Sequence, residues 1–311
     1  MILLTVFYLV LKKIYTDENN VVVFNVGLFE IVFVFLQDLI IIVFTNKRRK
    51  EICSLISKYA ILERLTNKLK KCKSTYHVQV RNTIMKIVLV EFVLTIICCV
   101  VDCVNNPNEG VNTVVYFTLW SFHFYYELVI LTFLEVLLNQ YRELANYMIK
   151  KNRCSEKKLK EVLKIYLFIR QIFHLTKKYF QGIILAKTLT DLFISTTGIY
   201  YHIRMMVHNE NKNYISKYGL ASTWLVLISI SNFIVVYFCQ IITQQDKLIE
   251  NLILNNMIDT FLDYKMRTLY VLHGDVDKLD VTVCGLFPLN NTLIGWMVAN
   301  ILTYVIYLIQ L

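Results

Sequence analysis

Proline, glycine and charged residues are all scarce in this chain of 311 residues. It has only 2 Pro and 8 Gly, and 18% of its residues are charged against 56% that are hydrophobic. An all-β protein needs many turns, which use glycine and proline, so their scarcity excludes that class. A soluble globular chain carries about 25% charged residues and about half apolar ones. The composition therefore predicts an all-α, polytopic helical membrane protein, because backbone groups in lipid need partners within their own segment.

Sequence signatures of enzymes are absent as well. The six histidines are scattered without an HExxH pair, and the chain has no P-loop, no GxSxG and no dinucleotide fingerprint. The eight cysteines form no CxxC pair, so we interpret them as small apolar side chains. We therefore predict no catalytic residue, no metal ligand and no cofactor. The net charge of +10 reflects basic loops beside apolar runs, and no nucleic-acid partner is expected.

Apolar runs long enough to cross a bilayer recur along the chain. A helix needs about 20 residues to cross about 30 Å of hydrocarbon. The predicted full spans are 21–44, 83–104, 113–138, 183–204, 219–241 and 284–308, and 1–11 is a partial span. We expect the partial span to be the remainder of a first span whose beginning is missing. The prediction is then one seven-transmembrane domain over residues 1–311.

Basic residues are distributed unequally among the connections. The connections 45–82, 139–182 and 242–283 hold 11, 11 and 4 Lys and Arg residues, whereas 12–20, 105–112 and 205–218 hold 2, none and 2. Lys and Arg are retained on the cytoplasmic side of a membrane during insertion. The long connections are therefore predicted to be cytoplasmic, and the C-terminus extracellular. With six spans the N-terminus would be extracellular as well; with 1–11 as the end of a seventh span, which is the arrangement we expect, it is cytoplasmic.

The cytoplasmic connections carry helical patterns of apolar residues. In the first connection these residues are Leu55, Ile56, Tyr59, Leu62 and Leu65, and in the second they are Leu159, Val162, Leu163, Tyr166, Ile169, Ile172 and Phe173. Ser155 is a candidate start for the second helix. Two arrangements fit the pattern: membrane helices that extend into the cytoplasm and pack there, or amphipathic helices that lie on the inner leaflet.

Several ionisable residues fall inside the spans, where lipid exposure would be costly. They are Glu30, Asp38, Glu91, Asp102, Glu127, Glu135, Lys187 and Asp191. Lys187 and Asp191 are four residues apart, which places them on one helix face and allows an ion pair. For each residue, a contact to a ligand or ion, a structural bond between helices and a position near the membrane interface are alternatives.

Polar and aromatic residues concentrate in the outer halves of the second to fifth full spans. They are Asp102, Tyr116, Trp120, His123, Thr197, Tyr200, Tyr201, Ser222 and Trp224. Aromatic walls with a few polar groups are typical of a small-molecule pocket between helices. An aromatic belt at the membrane interface is the alternative, and it suits Tyr116 and Tyr201. The predicted ligand-pocket residues are Asp102, Trp120, His123, Thr197, Tyr200 and Trp224.

The end of the chain carries a family resemblance. Thr303-Tyr304, five apolar residues and Gln310 resemble the TYhhhhhQF ending of the insect gustatory receptor family, in which h is apolar. The upstream CGLFPLNNTLIGWM resembles the family's GFFxhDxxLL approach to the same helix. Three positions depart from the family pattern: Leu311 replaces Phe, Asn290 replaces the aspartate of the approach, and Val305 replaces an acid frequent in the sugar-receptor branch.

The resemblance implies a plasma-membrane receptor that is no enzyme. Its implied partners are a small-molecule tastant, other gustatory receptor subunits in a tetramer, the lipid bilayer and permeant cations. The last helix of each subunit would line the pore of a ligand-gated cation channel. Gln310 would lie at its outer mouth, Ile306 or Ile309 would form an apolar constriction, and Thr303 and Tyr304 would hold the helix against its neighbours. A Gln310 that only bonds interfacial water is the alternative.

Other functions fit the sequence less well. An odorant receptor subunit of the same superfamily is disfavoured by the TY…Q ending. A secondary transporter would be expected to show internal repeats or broken helices near mid-membrane, and neither is found. The loop charges oppose the topology of a G-protein-coupled receptor. Neither the identity of the ligand nor the choice between homomeric and heteromeric assembly follows from the sequence.

Overall fold

The computed structural model describes residues 21–69, 110–151, 155–208, 214–259 and 282–310, together with the helical residues Leu89, Val93, Ile96, Ile97 and Val100. Among the side chains outside the description are those of 21–31, 110–124, 214–224 and 308–310. The described helices are α1 (Val21–Lys47), α2 (Arg49–Leu69), α3 (Gly110–Lys151), α4 (Glu156–His208), α5 (Tyr214–Asp259) and α6 (Asn291–Gln310). A short antiparallel hairpin precedes α6, and its strands β1 (Thr282–Val283) and β2 (Phe287–Pro288) have two residues each.

Helix α4 is the centre of the described bundle. It is 53 residues long and contacts each of the other five described helices. At 1.5 Å per residue it is more than twice as long as a membrane span requires. Helices α3 and α5, with 42 and 46 residues, are also much longer than a span and pack closely on each other. Three of the predicted spans therefore continue, without a break, as helices of the adjoining connection.

The apolar core lies largely in these helix extensions. It joins the second half of α3, the first half of α4 and the second half of α5, with Tyr141, Tyr166 and Ile242 among its fully buried side chains. All seven residues of the predicted pattern in 159–173 are buried. The extensions thus pack against one another, as in the first of the two predicted arrangements. Helix α4 begins directly after Ser155, whose carbonyl accepts a hydrogen bond from the Leu159 amide at 2.9 Å.

Helix α2 covers this core from one side. Leu55, Tyr59 and Leu62 are buried, and the Tyr59 hydroxyl lies 3.1 Å from the Thr176 hydroxyl and 3.2 Å from the Phe133 carbonyl. Burial raises the pKa of the Tyr59 phenol above its ordinary value. Ile56, which belongs to the same apolar pattern, is 54% exposed. Its side chain follows Leu55 by one residue and so points about a quarter-turn away from the buried face.

The last helix begins later than its apolar run predicts. The predicted span opens at Cys284, yet α6 opens at Asn291. Cys284 and Gly285 have φ values of 51° and 75°, a left-handed conformation that reverses the chain between β1 and β2. Pro288 then lacks the amide hydrogen that a helix interior needs. Residues 284–290 are consequently a hairpin and turn that lead into the helix.

Helix-by-helix hydropathy is a separate measure of membrane character. Among the described residues, Glu156–Tyr200 is long and apolar enough to cross a membrane by length and composition. Asn291–Tyr307 is a shorter apolar helix. The predicted span 1–11 and almost all of 83–104 lie outside the described residues.

Candidate ligand-binding and pore-lining site

A buried ion pair on α4 is linked by hydrogen bonds to a second helix. The Lys187 ammonium donates to the Asp191 carboxylate at 2.6 Å, and both residues belong to α4. Asn232 of α5 donates its amide to the same carboxylate oxygen at 2.8 Å, and its side-chain oxygen lies 3.3 Å from the Lys187 nitrogen. Lys187 and Asp191 are 5% and 0% exposed. The pair expected from the four-residue spacing is therefore confirmed, and it is tied to a second helix.

A second carboxyl lies beside this pair. Glu127 of α3 is buried and accepts a hydrogen bond from the Ser231 hydroxyl of α5 at 2.6 Å. It interacts electrostatically with both Lys187 and Asp191. We call Glu127, Lys187, Asp191, Ser231 and Asn232 the polar cluster. With two carboxyls and one ammonium, it has a formal charge of −1 when all three groups are ionised.

The polar cluster is continued along α4 by small hydroxyl residues. Ser195, Thr196, Thr197 and Tyr200 are buried. The Thr196 hydroxyl donates to the Leu192 carbonyl at 2.8 Å, and that of Thr197 lies 3.1 Å from the Phe193 and Ile194 carbonyls. Two of the predicted pocket residues, Thr197 and Tyr200, thus lie inside the bundle one to three turns beyond the ion pair.

Three of the remaining predicted pocket residues belong to α3 and α5, and the fourth lies outside the described residues. Positions 120 and 123 precede Glu127 by seven and four residues on α3, and position 224 precedes Ser231 by seven residues on α5. Such spacings put them on the helix faces that carry the polar cluster. The structure does not describe the side chains of Trp120, His123 and Trp224, and Asp102 lies outside the described residues.

Helix α6 has one buried face and one exposed face. Leu293, Met297 and Val305 are buried at four-residue or eight-residue intervals, on the side that contacts α4 and α5. Away from that side the exposed large apolar residues are Trp296, Val298, Leu302, Ile306 and Tyr307. Tyr304 is also exposed, although it follows Leu293 and Met297 on their own face of the helix. An isolated subunit thus presents a continuous apolar strip along this helix.

Of the residues predicted to line the pore, Ile306 has a described side chain, and it lies on that strip. Ile306 is 57% exposed, and Tyr304 and Thr303 are exposed beside it. The Thr303 hydroxyl donates to the Ala299 carbonyl of its own helix at 2.8 Å. Ile309 and Gln310 belong to α6, but their side chains are not described. Because Ile306 and position 310 are four residues apart, they share a helix face.

The chain is similar to known proteins in sequence and in fold. A family model described as "7tm Chemosensory receptor" matches residues 1–311. The chain belongs to the 7tm chemosensory receptor family. Its fold resembles the solved insect olfactory receptor OR5 of Machilis hrabei, with a TM-score of 0.70 over 99% of this chain and 88% of that one, at 11% identity. No curated protein sequence matches the chain.

Membership of a chemosensory receptor family supports several expectations at once. The chain is an all-α, multi-pass membrane receptor and not an enzyme, as the composition and the missing motifs indicated. The relationship to insect chemosensory receptors, inferred from the TY…Q ending, is confirmed at the level of the wider family. The family does not divide taste from smell, so it does not decide that part of the prediction.

The receptor also contains a buried charged group that the sequence analysis missed. Arg170 of α4 pairs with Asp246 of α5 at 3.7 Å, and both side chains are almost fully buried. The phenols of Tyr141 and Tyr166 lie against the Asp246 carboxyl. Burial raises the pKa of Asp246 above its ordinary value even though Arg170 opposes this. Both charges fall in the helix extensions, where an ionisable residue is common on a solvated helix face and gives no signal in the sequence.

The other ionisable residues predicted within spans have different outcomes. Asp38 and Glu135 are buried in α1 and α3. Neither carboxylate oxygen of Asp38 has a hydrogen-bond partner among the described residues. The side chain of Glu30 is not described, and Glu91 lies outside the described residues. Neither Asp38 nor Glu135 belongs to the polar cluster.

Proposed function

We propose that this receptor is a gustatory subunit of a ligand-gated cation channel in the plasma membrane. The observation that carries the proposal is the exposed face of α6, with Ile306 and Thr303 on it and Met297 and Val305 on the opposite, buried face. A helix with one free apolar face at the end of a membrane bundle suits a position around a shared axis. There it would provide an apolar constriction at Ile306 and a polar ring at Gln310.

The ligand would bind in the outer half of each subunit. The support is the run of buried polar residues on α4 from Asp191 to Tyr200, with positions 120, 123 and 224 on the facing sides of α3 and α5. Pockets for small molecules combine apolar and aromatic walls with a few polar groups that orient the ligand. A tastant opens the channel only by as much as it binds the open state more tightly than the closed one.

Ion selectivity tests the pore assignment directly. We expect Gln310→Ala to shift the reversal potential between sodium and potassium or to change basal current, because it removes a ring of amides from the pore mouth. Surface expression should not change. Gln244→Ala, on an exposed position of α5, is the matched control. Whole-cell recording measures the change in permeation, and surface biotinylation shows whether surface expression has changed.

Unchanged permeation in Gln310→Ala, in cells where the unmodified receptor gives ligand-evoked current, would contradict the pore role. Ile306→Ala provides a second reading at the proposed constriction. It should raise basal current, because a less apolar ring is easier to wet. Channels that stay closed in both variants would place the pore elsewhere.

The second candidate is an odorant receptor subunit. The fold of the solved insect olfactory receptor fits this chain, which keeps that function open. Co-expression separates the two. Evoked currents with other gustatory subunits support the taste function, whereas currents only with an odorant co-receptor favour smell.

A further inference from the structure

The junction between α1 and α2 is pinned to α4 by Arg48. Its guanidinium donates to the Lys178 carbonyl at 2.5 Å and lies 5.5 Å from the centre of the Phe44 ring. The Phe44 ring packs on Gly182, where an added Cβ would lie 2.9 Å from a ring carbon. Arg48 is thus occupied by backbone and ring contacts, and this holds the junction in one place against α4.

Four other cationic residues around this junction have no such contacts. Lys47, Arg49, Lys50 and Lys178 are exposed, and within the described chain their side chains make no hydrogen bond or ion pair. Glu51, the acid that follows Lys50 in the sequence, lies 3.9 Å from Arg48. Lys47, Arg49 and Lys50 flank Arg48 in the sequence, and the Lys178 carbonyl accepts its hydrogen bond. Like charges gathered around one arginine repel, so they favour an anion that can neutralise them. We call these four residues the basic corner.

An exposed apolar strip leads along α1 to the basic corner. Leu36, Ile40 and Val43 are exposed, and with Lys47 they follow one another at intervals of four, three and four residues. This spacing puts all four on one face of α1. The strip lies inside the predicted span 21–44, and the cations lie just beyond its end. An apolar helix face that ends in a group of cations is complementary to an anionic phospholipid. The acyl chain would lie beside the strip on α1 and the headgroup at the basic corner.

We propose that the basic corner is a binding site for an anionic phospholipid of the cytoplasmic leaflet. The leaflet assignment rests on the topology that the proposed function requires, whereas the binding itself does not. Because Arg48 joins the corner to α4, a lipid bound there contacts both the α1–α2 junction and the helix that carries Lys187 and Asp191. The lipid would then stabilise the position of α1 against α4.

Lipid binding to the purified full chain tests the site. The receptor is placed in nanodiscs of phosphatidylcholine that contain a fluorescent phosphatidylinositol bisphosphate, and bound lipid is measured by energy transfer to a label on the receptor. In the variant Lys47→Gln, Arg49→Gln, Lys50→Gln, Lys178→Gln we expect a loss of affinity of about tenfold or more, because each cation near an anionic headgroup contributes to the attraction. The loss should shrink as salt is raised.

A matched variant controls for net charge. Lys150→Gln, Lys157→Gln, Lys164→Gln and Lys247→Gln remove the same charge from exposed positions on α3, α4 and α5 and should leave lipid binding unchanged. An equal loss in this control, or none in the corner variant, overturns the proposal. So does competition by the soluble inositol phosphate headgroup as strong as that by the lipid, because the acyl chain would then play no part.

The apolar strip on α1 is tested by its own variant, Ile40→Ser with Val43→Ser. It should weaken binding of the lipid and leave binding of the soluble headgroup as it was. Nanodiscs expose both leaflets, so these measurements do not depend on the orientation of the chain or on any ion current. A failed binding test therefore leaves the channel proposal standing, and a failed channel test leaves the lipid site standing.

Discussion

Lys187 and Asp191 show how a single residue pair can fix the relation of three helices. A lone charge in a buried site is strongly disfavoured, so each of these groups depends on the other and on Asn232. Glu127 adds a carboxyl from α3 to the same region. The four residues therefore specify how α3, α4 and α5 meet, and an apolar surface alone would not provide that selectivity.

A double-mutant cycle measures this coupling. Lys187→Met leaves Asp191 and Glu127 buried without a cation, and we expect destabilisation of about 3–5 kcal/mol. Lys187→Met with Asp191→Leu should be less destabilised than the sum of the single variants, because no charge of the pair is left behind. Melting of the detergent-solubilised receptor, followed by fluorescence-detected size exclusion, gives the ranking. Lys164→Met on an exposed position is the control, and additive single effects would show that the pair is not coupled.

At the residue scale the sequence identified the groups but not all of their partners. The spacing of Lys187 and Asp191 was readable because four residues make about one helical turn. Asn232 and Ser231 carry no such signal, since their partners lie on other helices and at no fixed spacing in the sequence. Arg170 and Asp246 are 76 positions apart in sequence, and only the packing of α4 on α5 brings them together.

Helix α6 shows what a short segment contributes at the element scale. The Asn290 side-chain oxygen accepts a hydrogen bond from the Thr292 amide at 2.9 Å and another from the Thr292 hydroxyl. The Leu293 amide donates to the Asn290 carbonyl at 3.0 Å. Asn290 is therefore the N-cap of α6. The approach motif would place an aspartate here, and aspartate can accept the same hydrogen bonds.

Removing this cap should loosen the start of the helix. We expect Asn290→Ala to lower stability by about 1 kcal/mol, whereas Asn290→Asp should retain it because a carboxylate also caps a helix. Thermal melting of the solubilised receptor compares the two variants. Equal melting temperatures for Asn290→Ala and the unmodified receptor would mean that the hairpin alone sets the start of α6.

At the scale of the whole molecule, the loop charges predict that α6 ends outside the cell. An epitope tag at the C-terminus should therefore bind antibody on intact cells, because the basic connections are held in the cytoplasm during insertion. A tag inserted at residue 153, in the connection between α3 and α4, should be detected only after permeabilisation. Immunofluorescence with and without detergent makes the measurement. The reverse pattern would contradict both the orientation and the pore at the end of α6.

The sequence by itself determined the class of protein, its helical nature and the faces that pack. These follow from local causes: the scarcity of turn-forming residues, the lengths of apolar runs and the helical spacing of residues such as Leu159 and Tyr166. The motif formed by Thr303, Tyr304 and Gln310 indicated the relationship to chemosensory receptors. None of these signals requires knowledge of which helices are neighbours.

Only the tertiary structure decided how the elements combine. The apolar run of the last span could not show the chain reversal at Cys284–Gly285, because that depends on pairing with β1. The convergence of Glu127, Lys187 and Ser231, and of Arg48 with Lys178, joins residues far apart in sequence. Hydrophobic periodicity specifies that a face is buried but not against what, and the partners are set by the fit of side chains across helices.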